Sequence, residues 1–377
     1  MMDLITTADL ERLIEGGEAP LTSIYLPMQR KGPETRQNPL VLKSALKQVV
    51  DELENRKMRR PDIEAYLKPA ASLLDDSSFW QHQEDGLALF LDREGMHSYR
   101  LPESFEEMVM VGERFHLKPL LPVLSAEQEF YVIALSHNQV RLLRGTRFHV
   151  SELELEDVPT SLAEALWYRD PEPRLHSHAT SRGATALTFH GHGLGEESSD
   201  EELKQFFRQV DGGVRSLITD PRAPVVLAGV NYLHPIYRSI SDLEVMENGI
   251  EGNPDEIPAE KLHEKAWDIV ARRQEKHLAE ARERITEAAP AYAAWTVEDV
   301  VSAAAHGRVD TLFVPRNSQA WGTFDPETLE VTTGEADGAI DLYDVAAVRT
   351  WSTGGEVFVV DPDAIAGAAP VAALLRY

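Results

Sequence analysis

Short apolar runs alternate with amphipathic helical stretches along almost the whole chain, and this alternation restricts the fold more than any other feature. Leu21–Pro27, Gly86–Leu91, Phe130–Leu135, Val225–Val230, Val309–Val314 and Gly355–Val360 are too short for stable helices and too apolar for loops. They read as strands covered on both faces. Between them, Leu42, Leu46, Val49, Val50 and Leu53 recur at helical spacing, as do Leu203, Phe206, Phe207, Val210, Val214 and Leu217. Helices interleaved with buried strands predict layered α/β (α+β) domains. A chain of 377 residues has room for two or three of them at roughly 100–200 residues each.

Turn and loop residues divide the chain into three segments. The first, 1–125, holds a short helix around Leu10, Leu13 and Ile14 stopped by Gly16-Gly17, then the strand Leu21–Pro27. A helix from Pro39 to Arg60, a second helix after Pro61, and the strands Gly86–Leu91 and Met96–Leu101 follow. The second, 126–256, opens with Phe130–Leu135 and Gln139–Gly145 as a hairpin and Arg147–Leu153 as a third strand. After a polar stretch from Tyr168 to Gly195, Ser199 and Glu202 form a capping box for the next helix. The Gly/Asn/Pro-rich stretch Asn248–Pro258 reads as a linker. The third, 257–377, runs through helices at Ala259–Ala289, Thr296–His306 and Asp341–Thr350, the strands Val309–Val314 and Gly355–Val360, and a last strand, Ala372–Tyr377.

Composition removes several function classes. There is no cysteine, which excludes disulfides, zinc ribbons, iron–sulfur clusters and thiol nucleophiles. No apolar run reaches the ~18–20 residues that span a bilayer, and Met1–Ile5 lacks the basic and apolar regions of a signal peptide. A soluble cytoplasmic protein with no membrane partner is expected. The net charge of −26 repels polyanions on average, so DNA or non-specific RNA coating is not expected. Docking to a structured RNA through one local basic surface is still open.

The residues suggest a few sites. Lys43, Lys47, Arg56, Lys57, Arg59 and Arg60 form the clearest cationic cluster and are candidate RNA-phosphate contacts; the plainer reading pairs them with Asp51, Glu52 and Glu54. Arg174 and Arg182 are a second, smaller candidate. Gly191, Gly193 and Gly195, with His190 and His192, make a glycine-rich loop whose backbone can approach a phosphate or enter a narrow cavity. His176/His178 and His190/His192 are two His-x-His pairs that could share a metal if each lay on a strand, but no acidic residue stands at diagnostic spacing and no metal is expected. There is no nucleophile elbow, P-loop or dinucleotide fingerprint, so no cofactor is expected and no catalytic residue is assigned. Glu152, Glu154, Glu156 and Asp157 read as a solvated strand end rather than a nuclease centre. Trp267, Trp295, Trp321 and Trp351 read as packing residues.

Three motifs in order carry a family resemblance. Ala305–Val314 with Thr353–Val357, and the ending Leu374-Leu375-Arg376-Tyr377, resemble the C-terminal domain of the archaeo-eukaryotic class I release factors and Pelota. Arg114–Leu120 resembles the hinge after their N-terminal domain, and Arg141–Thr146 the start of their middle domain. The resemblance is to the bacterial and archaeal release-factor-like members of mostly unassigned function. It implies three domains: an N-terminal α/β domain, a ribonuclease-H-like mixed-sheet domain, and a C-terminal α/β/α sandwich like a kink-turn-binding protein. It also implies ribosome and ribosomal RNA partners, with a translational GTPase beside them. The family's Gly-Gly-Gln position corresponds to Thr188–Ser198, which has no glutamine, and the Asn-Ile-Lys-Ser turn has only an echo at Leu42-Lys43-Ser44. The expected role is therefore ribosome binding in stalling, rescue or hibernation without codon-specific peptide release. The alternatives are a hydrolase using the His190/His192 loop on an RNA or ester, and a non-ribosomal protein-interaction module.

Overall fold

The computed structural model describes residues 5–126, 129–155, 158–159, 161–167, 195–334, 336 and 338–377. They form two compact units: residues up to Ala126 together with His277–Tyr377, and the residues between them. The first and third segments thus share a unit, and each unit is a layered α/β structure.

The N-terminal part of the first unit contains α1 (Thr7–Glu15), β1 (Leu21–Pro27), α2 (Asn38–Asn55), α3 (Arg60–Ser72), α4 (Ser77–Gln81), β2 (Gly86–Leu91), β3 (Met96–Leu101), β4 (Met108–Gly112) and α5 (Leu121–Ala126). Its sheet has the order β3-β2-β1-β4 and is antiparallel throughout. The continuous apolar runs of β1 and β2 follow from the two-residue side-chain period. Ile24, Leu26, Leu87, Leu89 and Leu91 point to α2 and α3, where Leu42, Leu46, Val49, Leu53, Ile63 and Leu67 meet them. Tyr25, Ala88 and Phe90 point the other way, into a core shared with the end of the chain.

The middle unit contains β5 (Phe130–Leu135), β6 (Val140–Gly145), β7 (Val150–Leu153), α6 (Leu162–Trp167), α7 (Gly195–Leu217), β8 (Val225–Gly229), α8 (Leu233–Arg238) and β9 (Ile250–Glu251), and then α9 (Ala259–Glu287) begins. The sheet order is β7-β6-β5-β8-β9. The hairpin pairs β5–β6 and β6–β7 are antiparallel, whereas β5–β8 and β8–β9 are parallel, which gives the expected mixed sheet. Tyr131, Ile133 and Leu135 pack with Phe206, Phe207, Val210 and Val214 of α7. Phe130, Val132 and Ala134 face Leu262, Ala266 and Val270 of α9.

The chain then returns to the first unit through β10 (Ala293–Ala294), α10 (Val297–Ala305), β11 (Val309–Pro315), β12 (Trp321–Phe324), β13 (Val331–Thr333), β14 (Ile340–Asp341), α11 (Leu342–Ser352), β15 (Glu356–Val360) and β16 (Ala372–Leu375). One sheet has the order β10-β16-β11-β15, with β11 and β15 parallel, and a small antiparallel sheet has the order β13-β12-β14. Val300, Val301, Val345 and Val348 cover one face of the larger sheet. Phe313 on its other face packs with Ala281 and Ile285.

Four local expectations change. The helix from Pro39 ends at Asn55 rather than Arg60, because Lys57 adopts φ 64° and turns the chain into α3. The Met108–Gly112 run, not read as an element, is a strand against β1. Helix α7 starts at Gly195, so Ser199 lies a turn inside it instead of at its N-cap. Within the linker reading of Asn248–Pro258, Ile250 is buried and pairs with Ala228 as part of the sheet. Among the described residues, no helix is long and apolar enough to cross a membrane.

Candidate functional site

The Arg114–Leu120 segment leaves β4 and brings buried polar groups together from both ends of the chain. Lys118 is fully buried, at 0% exposure. A lone ammonium there would lose its hydration without return. It is compensated by Asp341 Oδ2 at 3.1 Å and the Ser318 carbonyl at 2.6 Å, and it stands 5.3 Å from the Tyr343 ring centroid. Asp341 is in place because it is the N-cap of α11, its Oδ1 accepting from Tyr343 N and Ala320 N, each at 3.0 Å. Asp344 accepts from Leu117 N at 2.6 Å and Lys118 N at 2.7 Å. The first turn of α11 thus binds both the side chain and the backbone of this segment.

His116 is fixed from the other side. Ser23 Oγ accepts its backbone N–H at 2.9 Å, and Tyr25 donates its hydroxyl to the His116 carbonyl at 2.7 Å. Burial, and then the Asp344 charge, push the Tyr25 phenol well above its usual value, so it stays a donor. The imidazole Nδ1 lies 3.6 Å from Asp344 Oδ1 and 3.9 Å from Asp341 Oδ2. Arg114 Nε is 3.8 Å from Asp344 Oδ2. Beside these groups is a cleft of ≈ 180 Å³ whose walls include Arg56, Arg114, His116, Trp321, Ile340 and Asp344. Two buried atoms of wall residues, Arg114 Nε and His116 Nε2, have no hydrogen-bond partner.

The six N-terminal basic residues divide into two sets. Arg56 is paired with Glu52 at 3.0 Å and donates to the Val111 carbonyl at 2.6 Å. Arg59 pairs with Asp62 at 2.8 Å and Arg60 with Glu54 at 3.9 Å. Lys43 and Lys47 share one exposed face of α2, and Lys57 is exposed at the turn; among the described residues these three have no partner. The plainer pairing thus describes Arg56 and Arg60, whereas Arg59 takes Asp62, outside the expected set.

The glycine-rich loop residues His190, Gly191, His192 and Gly193, with His176, His178, Arg174 and Arg182, lie outside the described residues; Gly195 is the first residue of α7. Among the described residues, no group of three or more His, Asp or Glu could hold a metal ion. The motifs of the third segment close turns. Gly307 has φ 68°; Arg376 donates to the Gly307 and Thr353 carbonyls at 3.2 and 3.0 Å, and Arg308 to the Tyr377 carbonyl at 2.7 Å. A Cβ on Gly355 would lie 2.6 Å from Thr350 Cγ2. Sequence reasoning marked Arg114–Leu120 only as a hinge and Trp321 only as packing. Trp321 is 39% exposed at the cleft. The one signal for the cluster was a basic residue within an otherwise apolar stretch, Leu117-Lys118-Pro119-Leu120, which calls for a buried counter-charge.

Fold and site together define a multi-sheet α/β protein of two compact units, with a buried ion cluster joining the two ends of the chain. Residues 129–308 match the bacterial archaeo-eukaryotic release factor family 3. Several solved structures are similar. The archaeal translation termination factor aRF1 is 18% identical, with 99% of each chain covered and a TM-score of 0.23. Archaeoglobus fulgidus Pelota is 13% identical, covering 77% of this chain and 79% of that one, with a TM-score of 0.30. An archaeal Pelota described as ribosome-bound with ABCE1 is 13% identical over 75% of this chain and 72% of that one, with a TM-score of 0.38. No curated protein matches the chain.

Proposed function

We propose that this protein is a release-factor-like factor that docks on the ribosome and acts in stalling, rescue or hibernation without codon-directed peptide release. The observation that carries the reading is the family match over residues 129–308, in a chain whose sequence contains no Gly-Gly-Gln. Without that tripeptide, the chain lacks the group that positions water for ester hydrolysis in the family it resembles. The unpartnered Lys43 and Lys47 on α2 support docking, since exposed ammonium groups are what phosphate contacts use. Under this reading the chain keeps the 1–125, 126–256 and 257–377 division, and the mixed sheet of β5–β9 supports a ribonuclease-H-like middle domain. Ribosomal RNA is the partner, with a translational GTPase as its delivery factor.

The test is sedimentation of the full chain through sucrose gradients with purified bacterial ribosomes at about 50 and about 200 mM salt. Comigration at the lower concentration that fades at the higher one is the expected result. Absence of comigration with empty, tRNA-loaded and GTPase-supplemented ribosomes overturns the proposal.

A further inference from the structure

In the sheet β3-β2-β1-β4, each outer strand has one side without a neighbouring strand. β3 reads Met-His-Ser-Tyr-Arg-Leu and carries polar and charged side chains of the kind that discourage strand pairing. β4 reads Met-Val-Met-Val-Gly, with no charge and no proline, and all five of its residues are half-buried, unlike those of β2, which are buried throughout. Such an edge is a template for another strand.

The ladder fixes which backbone groups of β4 point outward. Successive residues of a central antiparallel strand bond to one neighbour and then to the other. Met28 N–H donates to the Asp85 carbonyl at 2.9 Å, one step beyond the pair Pro27–Gly86, so the even-numbered residues of β1 bond to β2. Ser23 and Tyr25 therefore bond to Met110 and Met108. Val109 and Val111 point away from β1, in accord with the Arg56 guanidinium that reaches the Val111 carbonyl at 2.6 Å. Among the described residues, the N–H and C=O of Val109 and the N–H of Val111 have no partner beyond the strand. The Val111 carbonyl keeps a second lone pair.

These groups recur every two residues, the period of an extended polypeptide, which selects a strand as the occupant. Charge selects which strand. Glu106 and Glu107 precede β4, whereas Arg114 follows it and Arg56 and Lys57 lie at the same end, with Glu113 and the Glu52 that pairs Arg56 as the acids there. A second β4 laid antiparallel puts the acidic end of each copy beside the basic end of the other. With Val109 opposite Val111 of the second copy, all the outward groups pair at once, and Met110 faces its own counterpart.

We propose that β4 is a self-association edge, at which two copies of this chain pair antiparallel about a two-fold axis at Met110 and join their four-stranded sheets into one. The proposal goes beyond the ribosome reading and does not depend on it. The chain contains no cysteine, so one introduced thiol reports on one register. Facing residues in such a non-hydrogen-bonded pair have Cα atoms about 4.5 Å apart, inside the roughly 4.4–6.8 Å that a disulfide spans. Met110 also borders the open cleft. Under mild oxidation of the full chain, Met110→Cys should form a covalent dimer about tenfold or more faster than Ser98→Cys on β3, because pairing raises the effective concentration of its thiols.

Sedimentation velocity of the wild-type chain from about 1 to about 100 μM, in about 150 mM salt to screen the repulsion between two −26 chains, should show a monomer converting to a dimer. Val109→Pro removes an outward N–H at a position an edge strand tolerates. It should weaken dimerisation by about tenfold or more, since each copy loses a bond. A chain that stays monomeric throughout, or a Met110→Cys that crosslinks no faster than Ser98→Cys, overturns the proposal. A dimer unaffected by Val109→Pro overturns the assignment to β4.

Discussion

Replacing Lys118 with methionine removes the only charge of a fully buried side chain while keeping most of its volume. Asp341 Oδ2, now 3.1 Å from the ammonium, would be left as an uncompensated carboxylate in a site where Asp341 is 5% exposed. Breaking a buried pair from one side costs about 3–5 kcal/mol, because the remaining charge keeps its desolvation penalty without its partner. That is a large share of the roughly 5–15 kcal/mol that holds a typical domain folded. Lys118→Met combined with Asp341→Asn removes both charges and keeps an oxygen for the α11 cap. It should lose less than Lys118→Met alone, with a coupling of about 2–3 kcal/mol. The control is Arg59–Asp62, a shorter pair at 2.8 Å whose side chains are 83% and 45% exposed; breaking it should cost less than about 1 kcal/mol. Two compact units need not unfold together, so the assay is hydrogen exchange followed by mass spectrometry. Peptides covering residues 115–120 and 341–352 report on this cluster locally. If Lys118→Met costs no more than the Arg59 control, or the double variant is additive, the cluster does not join the two ends of the chain as argued.

Other expectations follow from single contacts. Gly355→Ala places a Cβ 2.6 Å from Thr350 Cγ2 and 2.8 Å from the Val309 carbonyl. It should destabilise the first unit by about 1–3 kcal/mol in denaturant titrations. His234 is buried with its Nε2 3.1 Å from the Gly229 carbonyl, and burial, then the Arg238 charge, lower its pKa from the ordinary histidine value. The folded state thus binds the proton less readily than the unfolded one, so this contribution is complete above the unfolded pKa and is lost as pH falls through the folded one. Exchange of the residue 225–240 amides should accelerate over that acidic range, and His234→Gln should remove that part of the pH dependence. Lys43→Glu with Lys47→Glu should weaken ribosome comigration and flatten its salt dependence, with an unchanged unfolding midpoint, because neither lysine has a partner to lose. Arg56→Ala should lower the midpoint as well, since its guanidinium ties α2 to the Val111 carbonyl of β4.

Much of the secondary structure was legible locally. The β1, β2, β3 and β5 runs and the start of α9 were readable because side-chain period and turn residues act over a few positions. The end of α2 was not, because a left-handed Lys57 gives no compositional signal. β4 was missed because an apolar run beside acidic residues becomes a strand only if a neighbouring strand has a free edge, here that of β1. For the candidate site, the basic residues were legible as a cluster, but which of them keep a free charge depends on side-chain distances of a few ångströms.

The sequence by itself determined the α/β class and the absence of Gly-Gly-Gln and of cysteine chemistry. Each follows from residue identity or from local periodicity. Only the tertiary structure decided that the first and third segments share one core and that Lys118 meets a carboxylate 223 positions away. It also decided that Trp321 stands at a cleft whose wall residues Arg114 and His116 each keep a buried nitrogen without a hydrogen-bond partner. Helical and strand periods specify which face of an element is apolar; which distant face covers it, and which buried charge finds its counterpart there, is settled only when the whole chain has packed.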